Sequence, residues 1–181
     1  PHINAIAGIA VALRETESQN FASYSKQIII NAKILEQEFK KYDFKIATNG
    51  TDTHLLLIDL RNKDLLGNTV AEGCEVANII FNRNSIPFDP NPPFYPSGIR
   101  LGTPGLTSRG MKENEMIIIA RAIHNVVEAL RCQKTKMGLS SIDERKRKIR
   151  NNLVNSTKEL RTIKNKIQNL CKEFPIPSVF I

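Results

Sequence analysis

The sequence has no tryptophan, few aromatic residues (6%) and three cysteines, Cys74, Cys132 and Cys171, among 181 residues. An odd number of widely spaced cysteines without a C-x-x-C pair argues against a disulfide framework or a zinc site and fits a reducing compartment, the cytoplasm. No apolar run approaches the roughly 20 residues that cross a membrane. The three histidines lack metal-ligand spacing, and no phosphate-binding P-loop is present. The sequence therefore predicts a soluble globular chain without a metal site or a membrane partner.

Residues 1–130 also lack a large excess of charge of either sign. Residues 131–181 hold 13 lysines and arginines against four acidic residues and account for the net charge of +8. Such a segment could bind nucleic acid through phosphates. The apolar residues of 143–172 recur at helical spacing, however, and residues 131–173 contain no aromatic side chain for base stacking. We interpret 143–172 as a basic amphipathic helix with a solvated face, and we do not expect a nucleic-acid partner.

Hydrophobic residues make up 41% of the chain, enough for one domain with a packed core. Strands over 44–48 and 54–60 flank Asn49-Gly50, a strong turn signal, and antiparallel pairing is their simplest arrangement. Apolar residues at spacings of three and four predict the helices, over 3–15 (largely buried), 21–42, 69–79, 112–133 and 143–172. This order of elements predicts a small α+β domain in which helices cover a short antiparallel sheet.

Residues 82–110 contain six prolines and four glycines, and so long a loop is usually functional or disordered. Its segment SGIRLGTPGLTSRG places Arg100 in glycine-rich backbone, where Arg100 and Leu101 could form a short strand. A guanidinium binds a carboxylate through two parallel hydrogen bonds, and glycines let a small ligand come close. A surface arginine in a turn is the alternative. The amides of Asn82 and Asn84 could similarly recognise a heterocycle or simply form a turn.

Five segments, taken in order, resemble the serine hydroxymethyltransferase family: PHINAIAGIAVAL, NGTDTHLLLIDLR, NRNSIPFDP, SGIRLGTPGLTSRG and LCKEFPIP. The resemblance spans nearly the whole chain, with 134–165 poorly matched. It implies the C-terminal part of an enzyme with the aspartate-aminotransferase-like fold, a fold-type I pyridoxal phosphate enzyme. Residues 1–20 would end the large-domain segment and start a linking helix, and residues 21–181 would form the small domain.

The resemblance also implies an activity and site residues. The family interconverts serine and glycine, passing a one-carbon unit to and from tetrahydrofolate, with pyridoxal 5'-phosphate as electron sink, in a homodimer or tetramer. Arg100 matches the arginine that binds the carboxylate of the amino acid, and Asn84 matches the asparagine that hydrogen-bonds the pterin of folate. Pro92, Pro93 and Phe94 match a folate-contacting segment, although Pro92 replaces the family's serine and lacks its hydroxyl.

The lysine that forms the family's Schiff base, and the glycine pair at the cofactor phosphate, have no counterpart in the sequence. We therefore expect the chain alone to be inactive and assign it no catalytic residue. Two alternatives stay open. One is a related enzyme of the same fold that uses no folate, and folate-independent turnover would identify it. The other is a non-catalytic truncated paralogue or basic binding module acting through 143–172, which salt-sensitive nucleic-acid binding would identify.

Overall fold

The computed structural model describes residues 2–177, in which α-helices pack against a four-stranded antiparallel sheet. The strands are β1 (Lys45–Ile46), β2 (Leu55–Asp59), β3 (Asn82–Asn84) and β4 (Gly98–Gly102). The helices are α1 (Ile3–Thr16), α2 (Gln19–Lys41), α3 (Gly67–Val76), α4 (Pro104–Ser108), α5 (Glu113–Lys136), α6 (Ser141–Glu144), α7 (Arg147–Ser156) and α8 (Glu159–Glu173). The predicted α+β class, a short antiparallel sheet covered by helices, is confirmed.

The sheet has the strand order β1-β2-β4-β3, and each neighbouring pair is antiparallel. β1 and β2 form the predicted hairpin, with Ile46 opposite Ile58. Side chains alternate between the two faces of a strand. One face of the two central strands belongs to the core, because their alternate residues are buried: Leu56, Ile58, Ile99 and Leu101. The other face is free to carry polar side chains.

The edge strand β3 is not predicted from the sequence. Its three polar residues give no alternating apolar pattern, so the sequence indicates only a loop. Pairing with β4 makes it a strand, in which Asn82 lies opposite Arg100 and Asn84 opposite Gly98. The short strand expected at Arg100-Leu101 is confirmed and extends over Gly98–Gly102.

The two long helices α2 and α5 pack against each other and begin within two residues of their predicted starts. Ser18 caps α2 by accepting a hydrogen bond from the backbone nitrogen of Phe21 (3.2 Å). The predicted apolar stripe of α5 is buried in full: Met116, Ile119, Ile123, Val127 and Leu130. α3 confirms the helix predicted over 69–79, with both ends displaced toward the N-terminus.

The single helix predicted over 143–172 is wrong, because this segment forms α6, α7 and α8. Ser140 and Asp143 cap α6 reciprocally, and the extended backbone of Thr157 ends α7. The amphipathic pattern itself is confirmed, since five of its six apolar residues are buried, Leu153, Leu160, Ile163, Ile167 and Leu170, and the sixth, Ile149, is half-buried. The predicted solvated basic face is wrong for Arg150, which is 5% exposed and ion-pairs with Glu72 (2.7 Å).

α1 is the helix expected over 3–15, but the prediction that it is largely buried is wrong, because none of its residues is buried. Its apolar side chains are 57–79% exposed: Ile3, Ile6, Ile9, Val11 and Leu13. The apolar face of a helix is normally buried against another part of the protein. Within residues 2–177 no other element buries this one, and the amino-acid composition of a helix cannot reveal where its cover lies.

Candidate functional site

The sheet face opposite the core carries Arg100. Its neighbours along β4, Ile99 and Leu101, are buried, and the alternation of a strand turns Arg100 to the other face, where it is exposed. Arg100 lies between Leu57 of β2 and Asn82 of β3. Its guanidinium forms no hydrogen bond or ion pair with any residue from 2 to 177. The N–H groups of such an unpaired guanidinium are available to donate hydrogen bonds to an anion from solution.

Asp59 occupies the same sheet face, yet its carboxylate is already engaged. It accepts hydrogen bonds from Nε and Nη2 of Arg61, with 3.0 and 2.7 Å to Oδ2. Burial alone would raise the pKa of Asp59, but the hydrogen bonds and charge of Arg61 outweigh it and the pKa is lowered. The carboxylate thus stays ionised and paired with Arg61, which leaves Arg100 free.

Two glycines, Gly98 and Gly102, precede and follow Arg100 on the same face. A Cβ at Gly98 would lie 2.5 Å from Ile86 Cγ2 and 2.7 Å from the carbonyl oxygen of Ile58, so only glycine fits there. A Cβ at Gly102 would lie 3.3 Å from the carbonyl oxygen of His54. These glycines allow close packing, and they leave Arg100 without bulky neighbours from its own strand on this face of the sheet.

Asn84 and Arg100, both singled out in the sequence, line one surface depression of about 450 Å³ between β3, β4 and α3. Asn84 lies opposite Gly98 and therefore shares a sheet face with Arg100. Its Nδ2 donates to the carbonyl oxygen of Ser85 (2.7 Å), and no other residue from 2 to 177 bonds its Oδ1 or its second N–H, which can therefore contact a ligand. The two side chains can thus contact one bound molecule or two adjacent ones.

A second depression, of about 420 Å³, lies on the other side of Arg100 and is lined in part by His54 and Asn82. His54 is the first residue of the strand predicted over 54–60. In the structure its side chain is exposed, while its carbonyl oxygen accepts from the backbone nitrogen of Thr103 (3.0 Å). Because His54 immediately precedes β2, and β2 pairs with β4, its proximity to Arg100 follows once that pairing is known.

The loop between β3 and β4 is organised by Asp89. Its Oδ2 accepts from the backbone nitrogen of Ser97 (2.9 Å), and its Oδ1 from Ser97 Oγ (2.6 Å) and the backbone nitrogen of Asn91 (3.0 Å). Burial would raise the pKa of Asp89, but these hydrogen bonds lower it overall. Sequence reasoning missed this residue, although an aspartate before a proline is a common turn signal. Asp89 joins the start of the loop to the start of β4.

Pro92, Pro93 and Phe94 form an exposed turn of that loop, in which the backbone nitrogen of Tyr95 donates to the carbonyl oxygen of Pro92 (2.8 Å). The side chain of Phe94 is 80% exposed. Its carbonyl oxygen accepts from Asn68 Nδ2 (3.2 Å), which connects the turn to α3. None of the three residues lines either depression beside Arg100. The structure therefore brings Asn84 and Arg100 together but keeps this turn outside their depression.

The described residues do not complete a site for pyridoxal phosphate, whose aldehyde needs a lysine amine. No lysine lines either depression beside Arg100. The buried Lys63 donates to the carbonyl oxygen of Tyr42 (2.8 Å), and the buried Lys134 ion-pairs with Glu144 (2.7 Å). Over residues 2–177 no group of three or more His, Cys, Asp and Glu side chains is arranged to hold a metal ion. None of the helices in that range is long and apolar enough to cross a membrane.

Helices on one face of the sheet and an available arginine on the other define the class of the chain: an α+β domain whose open face can bind an anion. The family model described as serine hydroxymethyltransferase matches residues 1–123. The chain therefore belongs to the serine hydroxymethyltransferase family, and the resemblance indicated by its five motifs is confirmed. The predicted fold-type I class agrees with this membership.

Two curated relatives carry the name serine hydroxymethyltransferase. The chain is 36% identical to the protein of Sorangium cellulosum (strain So ce56) over 179 residues, which are 99% of this chain and 37% of the relative. It is 43% identical to the protein of Myxococcus xanthus (strain DK1622) over 129 residues, which are 71% of this chain and 31% of the relative. The chain thus spans about a third of the length of the relatives that it matches.

Proposed function

We propose that the enzyme containing this chain interconverts serine and glycine and transfers the one-carbon unit to and from tetrahydrofolate. One observation carries the proposal: in a chain of the serine hydroxymethyltransferase family, Arg100 is available on the open sheet face and shares a depression with Asn84. The forward reaction is balanced as serine plus tetrahydrofolate giving glycine, methylenetetrahydrofolate and water.

Arg100 binds the carboxylate of serine or glycine. Its planar guanidinium offers two parallel N–H donors, which fix both the position and the plane of a carboxylate. β4 is paired on both edges, so the backbone beneath the guanidinium is held rigidly. A rigid anchor orients the rest of the amino acid for reaction and lowers the entropic part of the barrier.

Folate binds beside the amino acid. Asn84 hydrogen-bonds the pterin through its free Oδ1 and N–H, since an amide can both accept from and donate to a heterocycle. The exposed turn of Pro92, Pro93 and Phe94 contacts the folate further out, and the 80% exposed ring of Phe94 offers it an apolar surface. Pro92 contributes no hydroxyl to this contact.

Pyridoxal phosphate supplies the electron sink that carbanion chemistry at the amino acid requires. Because no lysine lies beside Arg100 among the described residues, its site is made elsewhere in the enzyme, and this chain contributes substrate binding rather than covalent chemistry. The chain by itself is then inactive.

The assembled enzyme is a cytoplasmic homodimer or tetramer in this proposal. Residues 1–20 belong to the end of the large-domain segment and the start of a linking helix, and residues 21–181 to the small domain. The exposed apolar side chains of α1 support this division, because such a face requires a cover in the assembled protein. The free thiols of Cys74, Cys132 and Cys171 support a reducing compartment.

The test is an assay of serine cleavage by the pyridoxal phosphate-loaded enzyme with and without tetrahydrofolate. We expect turnover that depends on tetrahydrofolate, and an Asn84→Ala variant that raises the KM for tetrahydrofolate about tenfold through the loss of two polar contacts. Turnover that is independent of folate, with Asn84→Ala unchanged, would instead identify a related enzyme that uses no folate.

A further inference from the structure

The loop between β3 and β4 is held at a second point, by Asn91. The Nδ2 of Asn91 donates to Ser97 Oγ (2.8 Å), at the base of β4, three residues before Arg100. Its Oδ1 accepts from Arg145 Nη2 (2.6 Å). The side chain of Asn91 thus links Arg145 to the base of the strand that carries Arg100.

Arg145 also contacts the turn that the proposed function places against folate. Its guanidinium carbon lies 5.8 Å from the centre of the Tyr95 ring, within the range of a cation–π interaction. Tyr95 is the residue whose backbone nitrogen closes the turn onto Pro92. One arginine side chain therefore contacts the loop at Asn91 and at Tyr95, on both sides of Pro92–Phe94.

The backbone at Arg145 is well anchored. The preceding residue, Glu144, is fully buried, ion-pairs with Lys134 (2.7 Å) and accepts a hydrogen bond from the backbone nitrogen of Leu66 (3.1 Å). The carbonyl oxygen of Glu144 accepts from Arg150 Nη1 (2.8 Å). The guanidinium of Arg145 consequently extends to the loop from a fixed point on the domain.

We propose that Arg145 is a positioning residue for tetrahydrofolate: it holds the loop over residues 85–97 in the conformation that contacts the folate. This inference rests on the proposed function. Arg145 lies outside residues 1–123, the part of the chain matched by the family model. The sequence predicts only a solvated basic face for this segment, whereas the proposal gives one of its arginines a role in substrate binding.

The test uses Arg145→Met in the pyridoxal phosphate-loaded enzyme, with the KM of each substrate measured separately. A charge-assisted hydrogen bond and a ring contact are lost, so we expect the KM for tetrahydrofolate to rise about fivefold, with the KM for serine unchanged. Arg145→Lys, which keeps the charge, should give an intermediate value. Lys148→Met is the matched control, because Lys148 is exposed on the same basic segment, and both its KM values should equal the wild type.

Asn91→Ala is the second variant, which keeps the test decisive if Arg145→Met does not fold. It breaks the same link and should raise the same KM, and combining it with Arg145→Met should add little, because the two residues act through one contact. Unchanged kinetics in both single variants, or equal rises in the KM for serine and for tetrahydrofolate, would overturn the inference. If Asn84→Ala still raises the KM for tetrahydrofolate, the proposed function stands although the inference about Arg145 is wrong. If Asn84→Ala also leaves this KM unchanged, both the inference and the proposed function are wrong.

Discussion

Asn84 and Arg100 project from the same face of the sheet, on adjacent strands and two residues apart in register, since Asn84 lies opposite Gly98. Side chains in this diagonal relation lie about 7–8 Å apart at their bases. That spacing lets the two side chains contact neighbouring groups of one bound assembly. It follows from the pairing of β3 with β4, and it makes the contribution of each residue separately measurable.

Replacing Arg100 should impair the use of serine. In the loaded enzyme we expect Arg100→Ala to lower kcat/KM for serine about 100-fold or more, because the carboxylate loses two charge-assisted hydrogen bonds and its orientation. Arg100→Lys should recover only part of this loss, since an ammonium lacks the planar fork. Steady-state kinetics measures both, with the exposed Arg161→Ala as control. Wild-type kinetics in Arg100→Ala would refute the assignment.

Introducing a hydroxyl at position 92 should strengthen the proposed contact with folate. Pro92 contributes its carbonyl oxygen to the turn, and Pro92→Ser keeps that bond to the backbone nitrogen of Tyr95. We expect the KM for tetrahydrofolate to fall about two- to fivefold from one added hydrogen bond, with the KM for serine unchanged. Pro175→Ser, an exposed proline-to-serine change outside this loop, is the control. A higher KM for folate in Pro92→Ser would show that the rigidity of the proline matters more than the hydroxyl.

The stability contributed by Asp89 should depend on pH. Asp89→Asn replaces one acceptor oxygen by a donor that faces N–H and O–H groups, so we expect a loss of about 1–2 kcal/mol in the free energy of unfolding at pH 7. The folded-state pKa of Asp89 lies below its ordinary value of 3.8. Its stabilisation is therefore complete above pH 3.8 and is lost as the pH falls through the folded-state pKa. Urea unfolding at pH 7 and at pH 3 should show the difference between the two proteins shrinking at pH 3; a difference independent of pH would contradict this origin.

The buried ion pair between Glu144 and Lys134 should be sensitive to the loss of one partner. Both side chains are at most 4% exposed, and Glu144→Ala leaves the buried ammonium of Lys134 with two groups of Asp64 beside it, the exposed carboxylate (3.0 Å) and the backbone carbonyl oxygen. We expect a loss of about 3 kcal/mol in the free energy of unfolding. Glu128→Ala breaks the exposed pair with Arg131 (2.9 Å) and should cost under about 1 kcal/mol. Denaturant unfolding compares the two, and equal losses would show that burial of the pair is unimportant.

Much of the fold could be predicted from local patterns. The buried stripe of α5, the buried C-terminal half of the stripe of α2 (Ala32, Leu35 and Phe39), and the hairpin around Asn49-Gly50 follow from spacings that a single segment contains. The edge strand β3 could not be predicted, because three polar residues become a strand only through pairing with β4. The division of 143–172 into three helices was equally hidden, since its apolar residues keep helical spacing across the breaks.

The candidate site divides in the same way. The amino-acid sequence by itself determined the family, the glycine-rich surroundings of Arg100 and the two asparagines near it. The tertiary structure alone decided that Asn84 and Arg100 share a face, that Asp59 is engaged by Arg61, and that Arg145 contacts Asn91 across 54 positions of sequence. Residue type and spacing encode what a side chain can do and which way a short element turns it. Whether a charged side chain is paired with another, as Asp59 is with Arg61, or stays unpaired, as Arg100 does among the described residues, is decided only when the strands and helices pack together.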